Sequence, residues 1–375
     1  MGAGWYTTEY RPLHQTVIKV NDVSFNMDYY INMLKYYGGG QSFDYLYNMA
    51  DGVVQIIEQN ELVRQGAEAL GIRVSDADVD AELEKRGLPA NIYYRDVVGT
   101  DLLVTKLRDQ YFEYQVPSFA AQVHSLVMFL ESESQALEVR ARLEAGGDFG
   151  TLAGELSLDG VSKEQKGDLD WRPEDVLAGL LQTSVPGEYA FSSEAGVLSP
   201  PVYDEAKTKS VGYWLIKVLE RKTDSGQAHI QGILLGSEVE AQGVRAQLEA
   251  GGDFAARAKE LSQHESKEDG GDLGWVSPGT MSSSFDKVAF DSEVEVGTLS
   301  EPVRDDTLTT TGGYWLVKVL EKDDARKVEG DNRSVLKGDA LNGWVSSLWD
   351  NPDNKGESYL DNDQKAWAIA RVMGS

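Results

Sequence analysis

The 375-residue chain carries 35 Lys and Arg against 62 Asp and Glu, a formal net charge of −27, with four His and no Cys. That balance argues against nucleic acid and against an anionic membrane surface, both of which select clustered Lys and Arg. Without thiols there are no disulfides, thiolate zinc sites, iron–sulfur clusters or cysteine nucleophiles, and 41% hydrophobic with 26% charged residues is a globular composition, long enough for two or three domains.

In chain order, Val17-Ile-Lys-Val20 followed by Asn21-Asp22 predicts a short strand and a turn. Tyr29, Tyr30, Tyr36, Tyr37, Phe43, Tyr45 and Tyr47 then crowd around Gly38-Gly-Gly40, with Met27, Met33 and Met49 among them. They read either as helix packing or as an adaptable apolar cradle. Val53, Ile56, Ile57, Val63, Ala67 and Leu70 recur at helical spacing, and Gly71 ends that helix. Ser75-Asp-Ala-Asp78 has the form of a cap opening the next one. Leu102, Leu103, Leu107 and Tyr111 mark a further helical face before Pro117 signals a linker.

Beyond that linker the chain repeats itself. Leu143-Glu-Ala-Gly-Gly-Asp-Phe149 recurs as Leu248-Glu-Ala-Gly-Gly-Asp-Phe254, and Gly167-Asp-Leu-Asp-Trp171 as Gly271-Asp-Leu-Gly-Trp275. Leu198-Ser199 with Pro201-Val202 returns as Leu299-Ser300 with Pro302-Val303. Gly212-Tyr-Trp-Leu-Ile-Lys-Val-Leu-Glu220 returns as Gly313-Tyr-Trp-Leu-Val-Lys-Val-Leu-Glu321. Four blocks in one order define two copies of one domain. Each copy opens on an apolar run suited to a buried strand (Val127–Leu130, Ile233–Leu235) and continues through helices. In the first copy these are 134–144, ended by Gly146-Gly147, and 149–156. Each copy closes on its Gly-Tyr-Trp strand, giving an α+β domain of roughly 100 residues.

After the repeats, Val335, Leu341, Trp344, Val345 and Leu348 fit one helical face, and Trp367, Ile369 and Val372 form a last apolar cluster. A tail of this length cannot make its own core, so it is expected to pack on the N-terminal helices as one discontinuous domain. The expected division is 1–120 helical, 121–222 first repeat, 223–322 second repeat and 323–375 returning tail. No apolar window of 18 residues is present, so no direct membrane insertion is expected. The loop Asp350-Asn-Pro-Asp-Asn-Lys-Gly356 mimics a calcium site, but Pro352 and Lys355 stand where a ligand and the obligatory glycine belong. The His at 14, 124, 229 and 264 have no metal-ligand spacing, so neither metal nor cofactor is expected.

These blocks resemble parvulin-type peptidyl-prolyl isomerase domains. The second copy follows the family run most closely, through Gly252-Asp-Phe254, Ser262, Gly270-Gly-Asp-Leu-Gly-Trp275, Met281, Phe285, Ser300-Glu-Pro-Val303 and Gly313-Tyr314. The N-terminal region, with Val17-Ile-Lys-Val-Asn-Asp22, resembles the helical domain of the SurA/PrsA foldase-chaperone family. The resemblance implies an α+β fold: a helical chaperone domain built from both chain ends, plus two tandem parvulin-like α/β domains.

In active parvulins a polar ring of His, Cys or Asp, and a second His surrounds the prolyl bond beside a greasy pocket. Carried over, the ring positions are Val127, Asp159 and Trp214 in the first copy, and Gly232, His264 and Trp315 in the second. Asp159 is the one residue there that keeps a catalytic type. An indole offers a donor and no acceptor, so it cannot replace an imidazole in a reciprocal ring. His124 and His229 stand three residues ahead of the catalytic slot. The pocket maps to Leu273, Met281 and Phe285, echoed by Leu169, Leu177 and Leu181. The resemblance implies an extracytoplasmic chaperone for unfolded or secreted polypeptides, proline-containing ones among them, anchored through a segment outside this chain. An active isomerase and a scaffold for one envelope partner are the alternatives.

Overall fold

The computed structural model describes residues 11–222 and 225–374. A single helical turn, Arg11–His14, leads into an antiparallel hairpin, β1 (Thr16–Val20) and β2 (Val23–Asn26), turned by Asn21 in the left-handed region at φ 52°. Helices α1 (Met27–Gly38), α2 (Phe43–Ala69), α3 (Asp76–Arg86) and α4 (Ile92–Lys106) follow. Each begins on a short polar residue, and each cap accepts the amide three residues on: Asn26 from Tyr29, Ser42 from Tyr45, Ser75 from Asp78, Asn91 from Tyr94. Such caps satisfy amides that have no partner within the helix.

The unit Phe119–Lys327 contains both repeats. The first supplies β3 (Phe119–Leu130), α5 (Glu133–Glu144), α6 (Phe149–Leu156), α7 (Gly160–Glu164), β4 (Asp168–Arg172), α8 (Glu174–Leu181), α9 (Val185–Ser192), β5 (Val202–Lys209) and β6 (Gly212–Arg221). The second supplies β7 (Ala228–Leu235), α10 (Glu238–Glu249), α11 (Phe254–Leu261), β8 (Asp272–Val276), α12 (Ser283–Ala289), β9 (Val303–Asp305) and β10 (Thr310–Lys327).

The sheets cut across the repeats. One has the order β4-β3-β10-β5 and the other β8-β7-β6-β9. The closing strands are exchanged: β10 of the second repeat lies between β3 and β5 of the first, with Val317 opposite Val127. Strand β6 of the first repeat pairs with β7 of the second, Ile216 opposite Gly232. Fold II is therefore the continuous stretch 212–305, inserted between β5 and β10 of fold I (119–209 with 310–327). The sequence division at 222/223 follows the repeats and passes through the β6–β7 connection. The boundary at 322 falls inside β10, which continues through charged residues to Lys327.

Chain connectivity gives the physical reason. Strands β6 and β7 are joined by a short turn, in which Lys222 N–H donates to Gln227 O, so they pair as a hairpin with little loop-closure entropy. The two closing strands are nearly identical in sequence, so their residues do not set which sheet each joins. Gly212 at the start of β6 and Gly313, three residues into β10, stand where side chains have no room. A Cβ on Gly313 would lie 2.5 Å from the Phe129 ring, and one on Gly212 2.7 Å from Leu234.

The chain ends with α13 (Gly330–Asp350), β11 (Gly356–Ser358) and α14 (Asn362–Met373). They return to the first elements, as expected for the tail, in the unit Met1–Ser118 with Val328–Ser375. Strand β11 pairs antiparallel with β1, Ile18 opposite Ser358. Ala368, Ile369 and Val372 enter the core of Val17, Tyr30, Leu34 and Ile57, while Leu341 and Trp344 pack with Val63, Leu107 and Phe112. The calcium-like loop serves this closure. Asn21 Nδ2 donates to Asn354 Oδ1 at 3.1 Å, and Lys355 N–H donates to Asn21 Oδ1 at 2.8 Å.

Candidate functional site: two composite clefts

Alternation along β3 sorts its side chains into two cores. Val123, Val127 and Phe129 face one, and Met128 and Leu130 face the other, under α5 and α6. The first core is the cleft of fold I. Because the closing strands are exchanged, its ring positions are Val127, Asp159 and Trp315, not Val127, Asp159 and Trp214. Leu169, Leu177 and Leu181 are fully buried there with Trp315 and Phe129. Trp315 packs against Phe129 in a tilted pair, ring centroids 4.8 Å apart, and donates its indole N–H to Asp204 Oδ2 at 3.0 Å.

Asp159 is fully engaged. Its Oδ1 accepts the Ser162 amide at 2.8 Å, capping α7, and its Oδ2 takes Lys207 Nζ at 2.8 Å. The two side chains are 5% and 7% exposed. Lys207 also donates to Leu181 O at 2.6 Å. Both oxygens of this carboxyl are thus committed to partners within the protein, one to a backbone amide and one to an ammonium, rather than facing a substrate. A cavity of about 330 Å³ lies beside the pair, bounded by Leu158, Val161, Leu180 and Gln182.

In fold II the ring positions are Gly232, His264 and Trp214. The absent side chain at 232 makes room for the indole: a Cβ there would lie 3.0 Å from the Trp214 ring and 3.1 Å from Leu273. Trp214 meets both His264 and Phe285 at 5.1 Å between ring centroids. His264 Nδ1 accepts the Ser266 amide at 3.2 Å, so the imidazole caps a turn, and burial lowers its pKa. Phe285 is fully buried beneath Trp214, whereas Leu273 and Met281 are only partly covered. Asp305 occupies the place of Asp204. Burial pushes its carboxyl up, but donors from Ser282 and Thr307 outweigh that and hold it below the usual range.

His124 and His229 lie elsewhere. They fall on the helix-facing positions of β3 and β7, away from Val127 and Gly232, and each ring nitrogen meets a carboxylate at 2.8 Å, Asp168 and Asp272 respectively. Asp272 is held low first by the Gly274 amide and also by His229. Each imidazole neighbours the tryptophan of its Gly-Asp-Leu-x-Trp block, Trp171 or Trp275. Each indole is covered in turn by a cation, Arg326 at 4.0 Å or Lys222 at 3.7 Å. Cations over indole faces in this way stabilise the fold locally.

Sequence reasoning missed Asp204, Lys207 and Asp305. The signal was present, because the Pro201-Val202 and Pro302-Val303 blocks both extend two residues further to an aspartate, Asp204 and Asp305.

The family model for PPIC-type peptidyl-prolyl isomerase (rotamase) domains matches residues 130–220 and 236–321. Each matched stretch ends in the closing strand that serves the other fold. Chaperone SurA of Methylobacillus flagellatus is 25% identical over 368 residues, covering 79% of this chain and 80% of the relative. Chaperone SurA of Burkholderia orbicola is 26% identical over 345 residues, covering 74% and 72%. The solved foldase protein PrsA of Streptococcus pneumoniae aligns over 96% of this chain and 92% of its own, at 11% identity and a TM-score of 0.31.

Proposed function

We propose, for a chain that belongs to the SurA/PrsA type of foldase with parvulin domains, that it holds unfolded polypeptides outside the cytoplasm without hastening their prolyl isomerisation. The observation that carries this reading is the occupation of both clefts by the closing-strand tryptophans, Trp315 against Phe129 and Trp214 against Phe285. Amide rotation has a barrier of about 18–20 kcal/mol, and an uncatalysed prolyl bond turns over in about 10–100 s. Acceleration requires a site that binds the twisted amide better than either planar form. Here the apolar wall is packed by indole and the one inherited acid is neutralised by Lys207. What remains for a client is ground-state contact, at partly covered residues such as Leu273 and Met281 and at the exposed aromatics Phe43, Tyr45 and Tyr47 of α2. Among the described residues no helix is long and apolar enough to cross a membrane.

Two assays test the reading. Aggregation of several unrelated unfolded proteins is expected to be suppressed at stoichiometric ratios. Exchange NMR on peptides with Ala-Pro, Gly-Pro and Phe-Pro bonds is expected to show no acceleration. Isomerisation abolished by Asp159→Ala would overturn the non-catalytic part, and failure with every client would overturn the chaperone part. The isomerase alternative draws its support from the cavity of about 330 Å³ beside Asp159, which has room for a prolyl ring.

A further inference from the structure

Strand β11 covers the outer edge of β1 with three residues, Gly356–Ser358, and neither these nor Tyr359 is buried. Its hold on β1 is made of backbone bonds. They run from Ile18 opposite Ser358 to Val20 opposite Gly356, and the Asn21 N–H donates to Lys355 O and the Tyr359 N–H to Val17 O, each at 2.8 Å. A strand held in this way gives up no apolar burial when another extended segment supplies the same bonds.

Beneath the strand lies an unpaired acid. Glu58 of α2 is 9% exposed, and a Cβ on Gly356 would lie 2.9 Å from its carboxyl carbon. Burial alone pushes that carboxyl above its ordinary value, with no cation or donor to offset it among the described residues. Glu61, three residues on, has what Glu58 lacks: it is held by Arg64 and by Gln65 Nε2 at 2.7 Å. Charged side chains are rarely buried without such a partner. β11 offers none, because the residue that faces Glu58 is a glycine. A lysine or arginine in that place meets a carboxyl at the end of a flexible side chain, free to turn towards it.

We propose that β11 is a displaceable strap, and that the edge of β1 takes an extended client segment as an added strand, with a lysine or arginine over Glu58. The assignment rests on the client-holding reading above and gives it a chemical specificity: an extended chain that carries a cation.

The test uses the full chain and fluorescence anisotropy, with two labelled peptides of alternating Thr and Val, one with a central Lys and one with a central Glu. The Lys peptide is expected to bind about tenfold or more tightly than the Glu peptide, since an ion pair replaces a like-charge contact. Glu58→Gln is expected to keep its melting temperature and to bring the two peptides within about twofold of each other. Displacement is tested by closing the strap. Lys19 stands opposite Glu357 and the chain has no cysteine of its own, so Lys19→Cys with Glu357→Cys is placed to form a disulfide. The oxidised chain is expected to lose the Lys peptide, and the reduced chain to regain it. Equal binding of the two peptides, undiminished binding by the locked chain, or a Lys preference that survives Glu58→Gln and so reports only the net charge of −27, would each overturn the proposal. So would a dimer that the lock abolishes in a chain that ignores both peptides, which would give the edge of β1 to a second copy. A protein that suppresses aggregation but ignores the Lys peptide overturns this inference alone. One that binds the peptide but suppresses nothing leaves the site standing and removes the chaperone reading.

Discussion

Trp315 donates its indole N–H to Asp204 at 3.0 Å across 111 residues of sequence, and so joins the closing strand of the second repeat to the last sheet-edge strand of the first. The contact identifies which cleft each tryptophan fills. It also makes the exchange of strands open to direct chemical proof.

The chain has no cysteine, so an introduced pair reports one proximity without background. Leu126 lies opposite Lys318 in the β3–β10 register, whereas the equivalent residue of the first repeat, Lys217, lies opposite Gln231. Opposed residues in antiparallel strands have Cα atoms roughly 4.5–5.5 Å apart, within disulfide reach. Oxidation of Leu126→Cys with Lys318→Cys should give a crosslinked monomer, seen as a mobility shift on non-reducing gels. Leu126→Cys with Lys217→Cys should stay reduced. The reverse result would return each strand to its own repeat.

A second consequence concerns which fragment folds. Residues 212–305 contain β6, β7, β8 and β9 with the core of Trp214, Ile216, Ile230 and Phe285. That fragment is expected to show cooperative urea unfolding by circular dichroism. The sequence repeat 223–322 lacks β6 and carries an unpaired β10, so it should be unfolded or aggregated through its exposed edge. Cooperative folding of 223–322 with none for 212–305 would refute the nested arrangement.

These two tests touch what the sequence could and could not disclose. Helix starts were legible at Ser75, because a cap is local chemistry, and the return of the tail was legible from an apolar cluster at Trp367, Ile369 and Val372 too small to stand alone. Strand partnership was not legible. Gly212-Tyr-Trp and Gly313-Tyr-Trp are interchangeable by composition, and the choice between them is made by the length of the turn after β6. The clefts suffered the same way. Leu169, Leu177 and Leu181 have the residue types of a binding pocket, but whether such residues are open or plugged depends on a tryptophan from the other repeat. Lys207 was invisible as a partner of Asp159 because an ion pair between residues 48 apart leaves no pattern in the chain.

That ion pair makes a prediction of its own. Removing one member of a buried pair strands the other charge at a cost of about 3–5 kcal/mol, while replacing both with apolar side chains of similar size is often near neutral. Asp159→Ala and Lys207→Met should each lower the urea midpoint strongly, and Asp159→Leu with Lys207→Met should recover most of the loss. A catalytic aspartate predicts another outcome, in which Asp159→Ala leaves stability nearly intact.

Lys209 offers a test by pH. It lies two residues beyond Lys207 on β5, 3% exposed, and donates to the carbonyls of Thr311 and Gly312 across the passage from fold I to fold II. Burial lowers its pKa from 10.5 to about 8. Between these values the unfolded chain holds the proton that the folded one has released. The contribution of Lys209 to stability is therefore greatest above about pH 10.5 and is lost as pH falls through 8. The full shift corresponds to about 3 kcal/mol at 1.36 kcal/mol per unit. Below pH 8 the charged ammonium stays buried, and Lys209→Met should then be tolerated well, giving up two hydrogen bonds but no longer enclosing a charge. Subtracting the pH dependence of Lys209→Met from that of the parent removes every other titrating group, and the difference should rise from pH 8 to 10.5. A flat difference would mean that the ammonium is solvated and the passage between the folds is open to water.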